Sequence, residues 1–194
     1  MSSTVVIGCG GIGSYFAEIL REMIDKSQLP FIDSYTLVDF DIVEPKNMLY
    51  QNFMDEDLAK NKAEALGKRH GFKFLNLKIE SEDQLAKFDK LIICADNTTI
   101  RKLCYAHCSK TGKFFLDLRS QGRVNTYLVH KKQKLKEMLK TLPEGTESRS
   151  CQIEQKLEKG QIDISNRIIA LKGIQLLLNL HRNIETDDYS TENI

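Results

Sequence analysis

Four glycines close to the start of the chain have the residue type and the spacing of a phosphate-binding turn. Gly8, Gly10 and Gly13 meet the pattern G-x-G-x-x-G, and Gly11 is an additional glycine. The pattern directly follows a β-branched run at 5–7 and precedes a segment rich in helix-forming residues. In this strand–turn–helix order, backbone N–H groups and the positive end of the helix form an anion site. The stretch predicts a nucleotide site without specifying the nucleotide, and a tight turn with no ligand is the alternative.

An acidic residue ends the next predicted strand. Residues 35–39 read Tyr-Thr-Leu-Val-Asp, which is typical of a buried strand followed by an acid. Where such a glycine turn binds a dinucleotide, an acid roughly 20 residues further along holds the ribose hydroxyls. Asp39 is therefore expected to contact a ribose.

Alternating strands and helices are the elements that must position these residues. The alternation predicts a Rossmann-like, doubly wound α/β fold with a mostly parallel sheet and helices on both faces. Ligands of such sheets bind beyond the carboxyl ends of the strands. Strands are predicted at residues 4–7, 35–39, 72–77, 91–95, 114–118 and 124–129, and helices at 60–69 and 98–110.

A single domain is predicted over residues 1–183. Its core would be residues 1–130, and residues 131–183 would form a helical extension. The polar residues 184–194 predict a flexible tail.

Two segments of the extension have a clear helical composition. The lysine-rich residues 131–140 are expected to form a solvated helix. The apolar residues 164–180 predict a helix that packs on the sheet or on a second subunit.

Composition and charge exclude several classes of function. Lys plus Arg total 28 and Asp plus Glu total 27, so the 194 residues carry a net charge of +1. This balance supports neither a nucleic-acid partner nor binding to an acidic membrane. No apolar run is long enough to span a bilayer, and no secretory signal is evident. Five scattered cysteines argue against a disulfide framework and for a reducing, cytoplasmic environment.

The segment that follows the second strand resembles a known family. Residues 39–51 read Asp-Phe-Asp-Ile-Val-Glu-Pro-Lys-Asn-Met-Leu-Tyr-Gln. They resemble the segment D-x-D-x-V-x-x-x-N-L-x-R-Q of the ThiF/MoeB/ubiquitin-activating-enzyme family. The matching positions are Asp39, Asp41, Val43, Asn47 and Gln51.

Two further segments resemble the same family in the same order. Residues 59–63, Ala-Lys-Asn-Lys-Ala, are similar to its G-x-x-K-A segment and place Lys62 at the lysine. Residues 94–97, together with Arg101, are similar to its C-x-D-N-x-x-x-R segment and include Asp96. Three motifs in order make the resemblance specific, although each alone is weak.

The resemblance implies an adenylyltransferase. Members of this kind use ATP and Mg²⁺ to adenylate the C-terminal carboxylate of a ubiquitin-like or sulfur-carrier protein, and they form homodimers. The four glycines would hold phosphate, and Asp39 would hold the ribose. Asn47 and Lys62 would face the triphosphate, and Asp96 would bind Mg²⁺. The chemistry of these residue types agrees, since lysine suits phosphate and a carboxylate suits Mg²⁺.

One departure from the family pattern concerns charge. Tyr50 stands where the family has an arginine, and tyrosine carries no positive charge at neutral pH. Arg119, Arg123 or Arg149 are the candidates to replace that charge. The paired C-x-x-C zinc motifs of many members are also missing from this sequence.

A thiol in the extension is a candidate for acyl transfer. Some family members pass the adenylated carboxyl group to a cysteine beyond the sheet, and Cys151 follows Arg149 and a loop-like segment. Residues 150–152, with Asn166 and the apolar helix, also resemble the short ThiF-type proteins of plasmid gene clusters. A buried structural cysteine is the alternative reading of Cys151.

The other cysteines and the histidines show no ligand spacing. Cys9, Cys94, Cys104 and Cys108 are expected to lie in the core. The four histidines are expected to be exposed or hydrogen-bonded, and they are His70, His107, His130 and His181.

Two other functions remain open from the sequence. A nicotinamide-dependent oxidoreductase would need a substrate domain, for which there is little room after residue 130. A degenerate module that binds nucleotide or protein without turnover agrees with Tyr50.

Overall fold

The β-branched run near the start of the chain forms the centre of a seven-stranded sheet. A computed structural model describes residues 2–29, 34–129, 134–142 and 164–194. Val5 and Val6 are fully buried because the central strand is covered on both faces. The strands are β1 (Ser3–Ile7), β2 (Ser34–Asp39), β3 (Lys73–Asn76), β4 (Lys90–Ile93), β5 (Phe114–Gln121), β6 (Val124–Val129) and β7 (Tyr189–Asn193).

The strand order of this sheet is β3-β2-β1-β4-β5-β6-β7. The first five strands of that order are parallel, whereas β6 and β7 are antiparallel additions. The order reverses between β1 and β4, where an open α/β sheet forms a crevice at its carboxyl edge. This topology confirms the predicted doubly wound, mostly parallel fold.

Helices cover both faces of the sheet and divide the core in two. The helices are α1 (Gly11–Asp25), α2 (Lys62–His70), α3 (Thr98–Thr111), α4 (Leu135–Lys140) and α5 (Ser165–His181). One core lies under α1, α2 and α5, and the other lies under α3 and α4. The apolar helix predicted at 164–180 is α5, and it packs on the sheet beside α1.

The polar C-terminal residues form a strand rather than a frayed end. Strand β7 extends the sheet by pairing with β6, and the hydroxyl groups of Thr126 and Thr191 lie 3.0 Å apart. The prediction of a flexible tail over 184–194 was wrong at this strand. Because almost every residue of β7 is exposed, its sequence lacks the alternation of apolar residues that marks a strand.

The lysine-rich stretch is only partly solvated where the structure describes it. Met138 of α4 is 1% exposed and packs into the core under α3, with Leu135 and Leu139 beside it. The expected solvated helix therefore has one buried face. None of the described helices is long and apolar enough to cross a membrane.

Candidate functional site

The glycine turn joins β1 to α1 at the centre of the carboxyl edge. Gly8 has a φ of +92°, and a β-carbon on it would lie 2.6 Å from the backbone nitrogen of Ala95. A β-carbon on Gly13 would lie 2.9 Å from the carbonyl carbon of Gly8 and closer still to its oxygen. These two glycines permit the tight turn and the close packing of α1. The first turn of α1 thus directs its free N–H groups toward the crevice.

Asp39 fastens this turn to the end of β2. Its carboxylate accepts hydrogen bonds from the backbone N–H of Cys9, at 2.6 Å, and of Asp41, at 2.8 Å. Burial raises the pKa of Asp39 above its usual value, while the two N–H donors and nearby Lys62 oppose that rise. Both carboxylate oxygens already accept a bond, but each retains a lone pair for another donor. The ribose contact of Asp39 stays a prediction.

Lys62 reaches the same edge from the first turn of α2. Its side chain is 8% exposed, and its Nζ donates to the half-exposed carboxylate of Asp41 at 3.4 Å. Asn61 caps α2 by accepting from the N–H of Glu64, and its amide donates to the carbonyl oxygens of Asp39 and Asp41. Asn61, which was not predicted as a site residue, therefore positions both Lys62 and the end of β2. Its capping role was missed because the helix was predicted from residue 60, whereas α2 begins at Lys62 and leaves Asn61 directly before it.

Asn47 and Gln51 lie in the segment between β2 and α2. Asn47 is 2% exposed, and its Oδ1 accepts from the N–H of Glu44, which closes a short 3-10 helix at Pro45–Leu49. Gln51 is also buried, and its Nε2 lies 3.9 Å from the place of a β-carbon on Gly10. Its Oε1 has no hydrogen-bond partner in the described parts of the chain. Gln51 therefore borders the glycine turn, whereas Asn47 has a local structural role and its contact with a triphosphate stays a prediction.

Asp96 is exposed just beyond the end of β4. Because β4 pairs directly with β1, the loop that follows β4 and carries Asp96 lies next to the glycine turn. The described residues contain no group of three or more His, Cys, Asp or Glu side chains that could hold a metal ion. Mg²⁺ is commonly held by one or two carboxylates together with phosphate oxygens and water. A single carboxylate here fits an ion brought with a nucleotide better than a resident metal.

Arg101 of α3 and Arg119 of β5 both bind the buried carboxylate of Asp117. Arg101 donates through Nε to Asp117 at 2.9 Å, and Arg119 donates through Nε to its other oxygen at 2.7 Å. Tyr105 also donates to Asp117. Burial alone would raise the pKa of Asp117, but the two guanidinium groups hold it below its usual value. Arg119 is therefore committed to this cluster and does not supply the charge missing at Tyr50.

The two remaining candidates for the positive charge missing at Tyr50 are Arg123 and Arg149. Arg123 is exposed in the turn between β5 and β6. Arg149 lies outside the described residues, as does the predicted acyl acceptor Cys151.

The other cysteines lie in the core, as predicted. Cys9, Cys94, Cys104 and Cys108 are each at most 5% exposed. Burial raises the pKa of the Cys9 thiol well above its usual value, so this thiol does not form a nucleophile in the glycine turn.

The histidines follow the prediction only in part. His107 is 4% exposed, and its Nε2 has no hydrogen-bond partner among the described residues. The expectation that it would be exposed or hydrogen-bonded was wrong at this nitrogen, because α3 turns His107 inward. His181 is exposed at the end of α5, and His130 lies outside the described residues.

The structure adds Asn166 to the residues around the glycine turn. Asn166 is in the first turn of α5 and is 2% exposed. A β-carbon on Gly11 would lie 2.9 Å from its amide carbon and closer still to its Nδ2. The absence of a side chain at Gly11 thus lets Asn166 approach the start of α1.

The fold and the site define a doubly wound α/β protein with a glycine-rich turn where the strand order reverses. The chain belongs to the ThiF family, whose sequence profile matches residues 1–192. The adenylyltransferase and sulfurtransferase MOCS3 of Sus scrofa is 26% identical over 141 residues, which are 65% of this chain and 29% of that protein.

Solved structures share the fold. The structure of the microcin C7 biosynthetic enzyme MccB with N-formylated MccA has a TM-score of 0.72 and 18% identity, covering 99% of this chain and 64% of that one. MccB of E. coli with ATP has a TM-score of 0.67, 18% identity and the same coverages. This chain therefore spans less than two thirds of each relative.

Proposed function

We propose that this protein adenylates a carboxylate of a substrate protein with ATP. More specifically, we propose that the substrate is the C-terminal carboxylate of a ubiquitin-like or sulfur-carrier protein. The observation that carries it is the meeting of the glycine turn, Lys62 and Asp96 at one edge of the sheet in a member of the ThiF family. The names of the relatives support it, since MOCS3 is an adenylyltransferase and MccB has been solved with ATP.

The protein would contribute to this reaction mainly by positioning the reactants and stabilising negative charge, because the reaction needs no covalent bond to the protein. A carboxylate oxygen attacks the α-phosphorus of ATP, a new oxygen–phosphorus bond forms, and the bond to the β-phosphate breaks to release pyrophosphate. The N–H groups of the turn and the ammonium group of Lys62 would stabilise negative charge on the phosphate oxygens. Lys62 would exchange its bond to Asp41 for a phosphate oxygen. Asp96 would hold Mg²⁺, which supplies charge neutralisation on the phosphates when bound.

A ligand screen tests the nucleotide specificity. ATP and AMP should raise the melting temperature, and NAD and NADP should not, because a ligand stabilises only the state that binds it. Asp39→Ala should weaken ATP binding because the turn loses its anchor to β2. Greater stabilisation by NAD than by ATP would contradict the proposal and favour an oxidoreductase.

Pyrophosphate exchange into ATP, driven by a ubiquitin-like carrier, tests the chemistry. Lys62→Ala should lower the exchange rate by about 10²–10³, which is typical when a charge-stabilising group is removed. Asp96→Ala should abolish the Mg²⁺-dependent exchange. Lys60→Ala is the matched control, because Lys60 is exposed two residues earlier. Cys151→Ser should leave exchange intact, since adenylation precedes any transfer to a thiol.

A nucleotide-binding module without turnover is the second candidate function. Tyr50 and the commitment of Arg101 and Arg119 to Asp117 favour it, because both reduce the positive charge available to a triphosphate. Binding of ATP without exchange for any carrier would support this candidate. Tyr50→Arg should then increase ATP affinity.

We further propose a cytoplasmic homodimer. Leu171 and Leu180 on α5 are 55% and 42% exposed, and such apolar side chains are more stable when a partner covers them. Light scattering that shows only monomer at micromolar concentration would contradict the dimer.

A further inference from the structure

Residues 51–58 join the neighbourhood of the glycine turn to the start of α2, and we call them the connecting segment. They include a short 3-10 helix at Asp55–Asp57. Apolar burial holds little of this segment in place, because Phe53 is 8% exposed whereas Met54 and Leu58 are 52% and 46% exposed. The position of the connecting segment therefore depends on its hydrogen bonds to the neighbouring helices.

Arg69, in the last turn of α2, contacts the connecting segment at two places. Its Nη1 donates to the backbone carbonyl oxygen of Asn52 at 2.9 Å, and its Nη2 donates to the carboxylate of Asp57. The same carboxylate oxygen accepts the backbone N–H of Met54 at 2.9 Å, which closes the 3-10 helix. The side chains of Arg69 and Asp57 are 17% and 5% exposed, so water competes little for these bonds.

The backbone of Asn52 is also held from α1. Ser14, which is fully buried in the first turn of α1, accepts the Asn52 N–H through its Oγ at 3.0 Å. The Ser14 hydroxyl donates in turn to the carbonyl oxygen of Gly11 at 3.4 Å. Both backbone groups of Asn52 are therefore bonded, one to each helix. Because Gln51 is the preceding residue, these bonds fix its backbone relative to the glycine turn.

Gln51 is the residue through which the connecting segment borders the glycine turn. Its side chain lies beside Gly10, and its buried Oε1 has no hydrogen-bond partner among the described residues. The amide carries a donor on one atom and an acceptor on the other, so its bonds to a nucleotide depend on where its backbone is held. A displacement of about 1 Å in a group of this kind is enough to reduce activity strongly.

We propose that Arg69 is a positioning residue of the nucleotide site, which acts through Asn52 to hold Gln51 against the glycine turn. The inference rests on the proposed adenylation, because that proposal identifies the nucleotide at the turn as ATP. Arginine suits this role, since its planar guanidinium group donates to the Asn52 carbonyl and the Asp57 carboxylate at once, whereas a lysine presents a single point charge. Helix α2 would then serve the site from both ends, with Lys62 at its start.

Calorimetric titration of the full chain with a non-hydrolysable ATP analogue tests this inference. Arg69→Met keeps an apolar stem but removes the donors, and it should weaken binding at least about tenfold, as expected when hydrogen bonds of a charged group are lost. Arg69→Lys keeps the charge without the fork and should weaken binding by only about threefold. Lys68→Met is the matched control, because Lys68 pairs with Glu64 at the surface of the same helix. Its affinity should stay within about twofold of the wild type.

A double-mutant cycle separates positioning from a general effect on the fold. If Arg69 acts through Gln51, then Gln51→Ala removes the group that Arg69 positions. In that background, Arg69→Met should change the affinity for the analogue by less than about twofold. A purely structural role predicts the same loss of affinity in both backgrounds. Arg69→Lys provides the same comparison if the methionine variant does not fold.

The outcomes separate this inference from the proposed function. Wild-type affinity for the analogue in both Arg69 variants would overturn the inference and leave nucleotide binding intact. Equal losses of affinity with and without the Gln51 side chain would overturn it as well. Failure of the wild type to bind the analogue would contradict the proposed function itself, and the inference with it.

Discussion

The two faces of β5 carry buried polar groups in opposite states. On the face toward α3, Asp117 is bonded to Arg101, Arg119 and Tyr105, so that its charge is fully compensated. On the face toward α5, the hydroxyl of Ser120 lacks a partner among the described residues. The residues alternate along one strand, yet one face forms a closed network and the other buries a hydroxyl without a partner among the described residues.

The contrast separates a buried carboxylate whose bonds stabilise the fold from a buried hydroxyl that contributes no such bond. A charge buried with its partners holds α3 to the sheet, and the network needs nothing from outside. A buried hydroxyl without a partner, such as that of Ser120, lowers stability. The arginine of the C-x-D-N-x-x-x-R segment belongs to the first kind, because Arg101 contacts Asp117 rather than the crevice.

The largest expected effect is a loss of stability on the face of β5 that carries Asp117. Asp117→Ala leaves the guanidinium groups of Arg101 and Arg119 buried without their carboxylate, and breaking a buried pair in this way costs about 3–5 kcal/mol. Urea denaturation should show that loss in the free energy of unfolding. Asp25→Ala is the control, because Asp25 pairs with Arg21 at the surface, and it should change stability little. A loss below about 1 kcal/mol for Asp117→Ala would mean that the network is not structural.

The next largest expected effect is the difference in stability between alanine substitutions at Gly13 and at Gly10 of the glycine turn. Gly13→Ala would force a β-carbon against the carbonyl group of Gly8, so we expect about 1–3 kcal/mol of destabilisation from overpacking. A β-carbon on Gly10 would meet nothing nearer than Gln51, at 3.9 Å, so Gly10→Ala should be less destabilising. It should nevertheless weaken ATP binding by filling the space of the phosphate. Equal ATP affinity in Gly10→Ala and the wild type would place the nucleotide elsewhere.

The smallest expected effect concerns His107 on α3, whose Nε2 has no hydrogen-bond partner among the described residues. Burial lowers the pKa of His107, and Lys113 lowers it further, while Glu82, whose carboxylate lies 3.8 Å from Nδ1, opposes the shift. The unfolded chain therefore binds a proton at His107 more readily than the folded chain does. The contribution of neutral His107 to stability is present above the unfolded pKa of about 6.5 and is lost as pH falls through the folded pKa.

Denaturation at about pH 7.5 and about pH 5 measures this effect. His107→Gln should be less sensitive to the lower pH than the wild type. His181→Gln, which alters an exposed histidine, should keep the sensitivity of the wild type. Identical pH dependence in all three proteins would show that His107 does not couple protonation to folding.

The parts of the fold with strong local patterns could be predicted from the sequence. The glycine spacing, the β-branched strands and the acid at Asp39 predicted the parallel core and its crevice. Strand β7 could not be predicted, because an exposed strand has no apolar face. The buried side of α4 was missed because its lysines dominate the composition, although Met138 faces the core.

The candidate site could be predicted only where its residues lie in sequence motifs. Lys62 and Asp96 were identified by resemblance; Lys62 lies in the first turn of α2, and Asp96 lies in the loop after β4. The buried, unpaired polar atoms of Ser120, Asn125 and Asn166 could not be predicted, because these residues lie on three elements and have no common spacing. The motif residue Asn47 has a capping role that its conformation reveals and its sequence context does not.

The central claim is that a nucleotide binds at the glycine turn and not at the network around Asp117. Two-dimensional nitrogen–proton NMR tests it directly by following the backbone N–H groups of Gly10 and Gly11 and the Nε–H groups of Arg101 and Arg119. Addition of a non-hydrolysable ATP analogue should shift the glycine signals and leave the arginine signals in place. Shifts at the arginines with unmoved glycine signals would contradict the account.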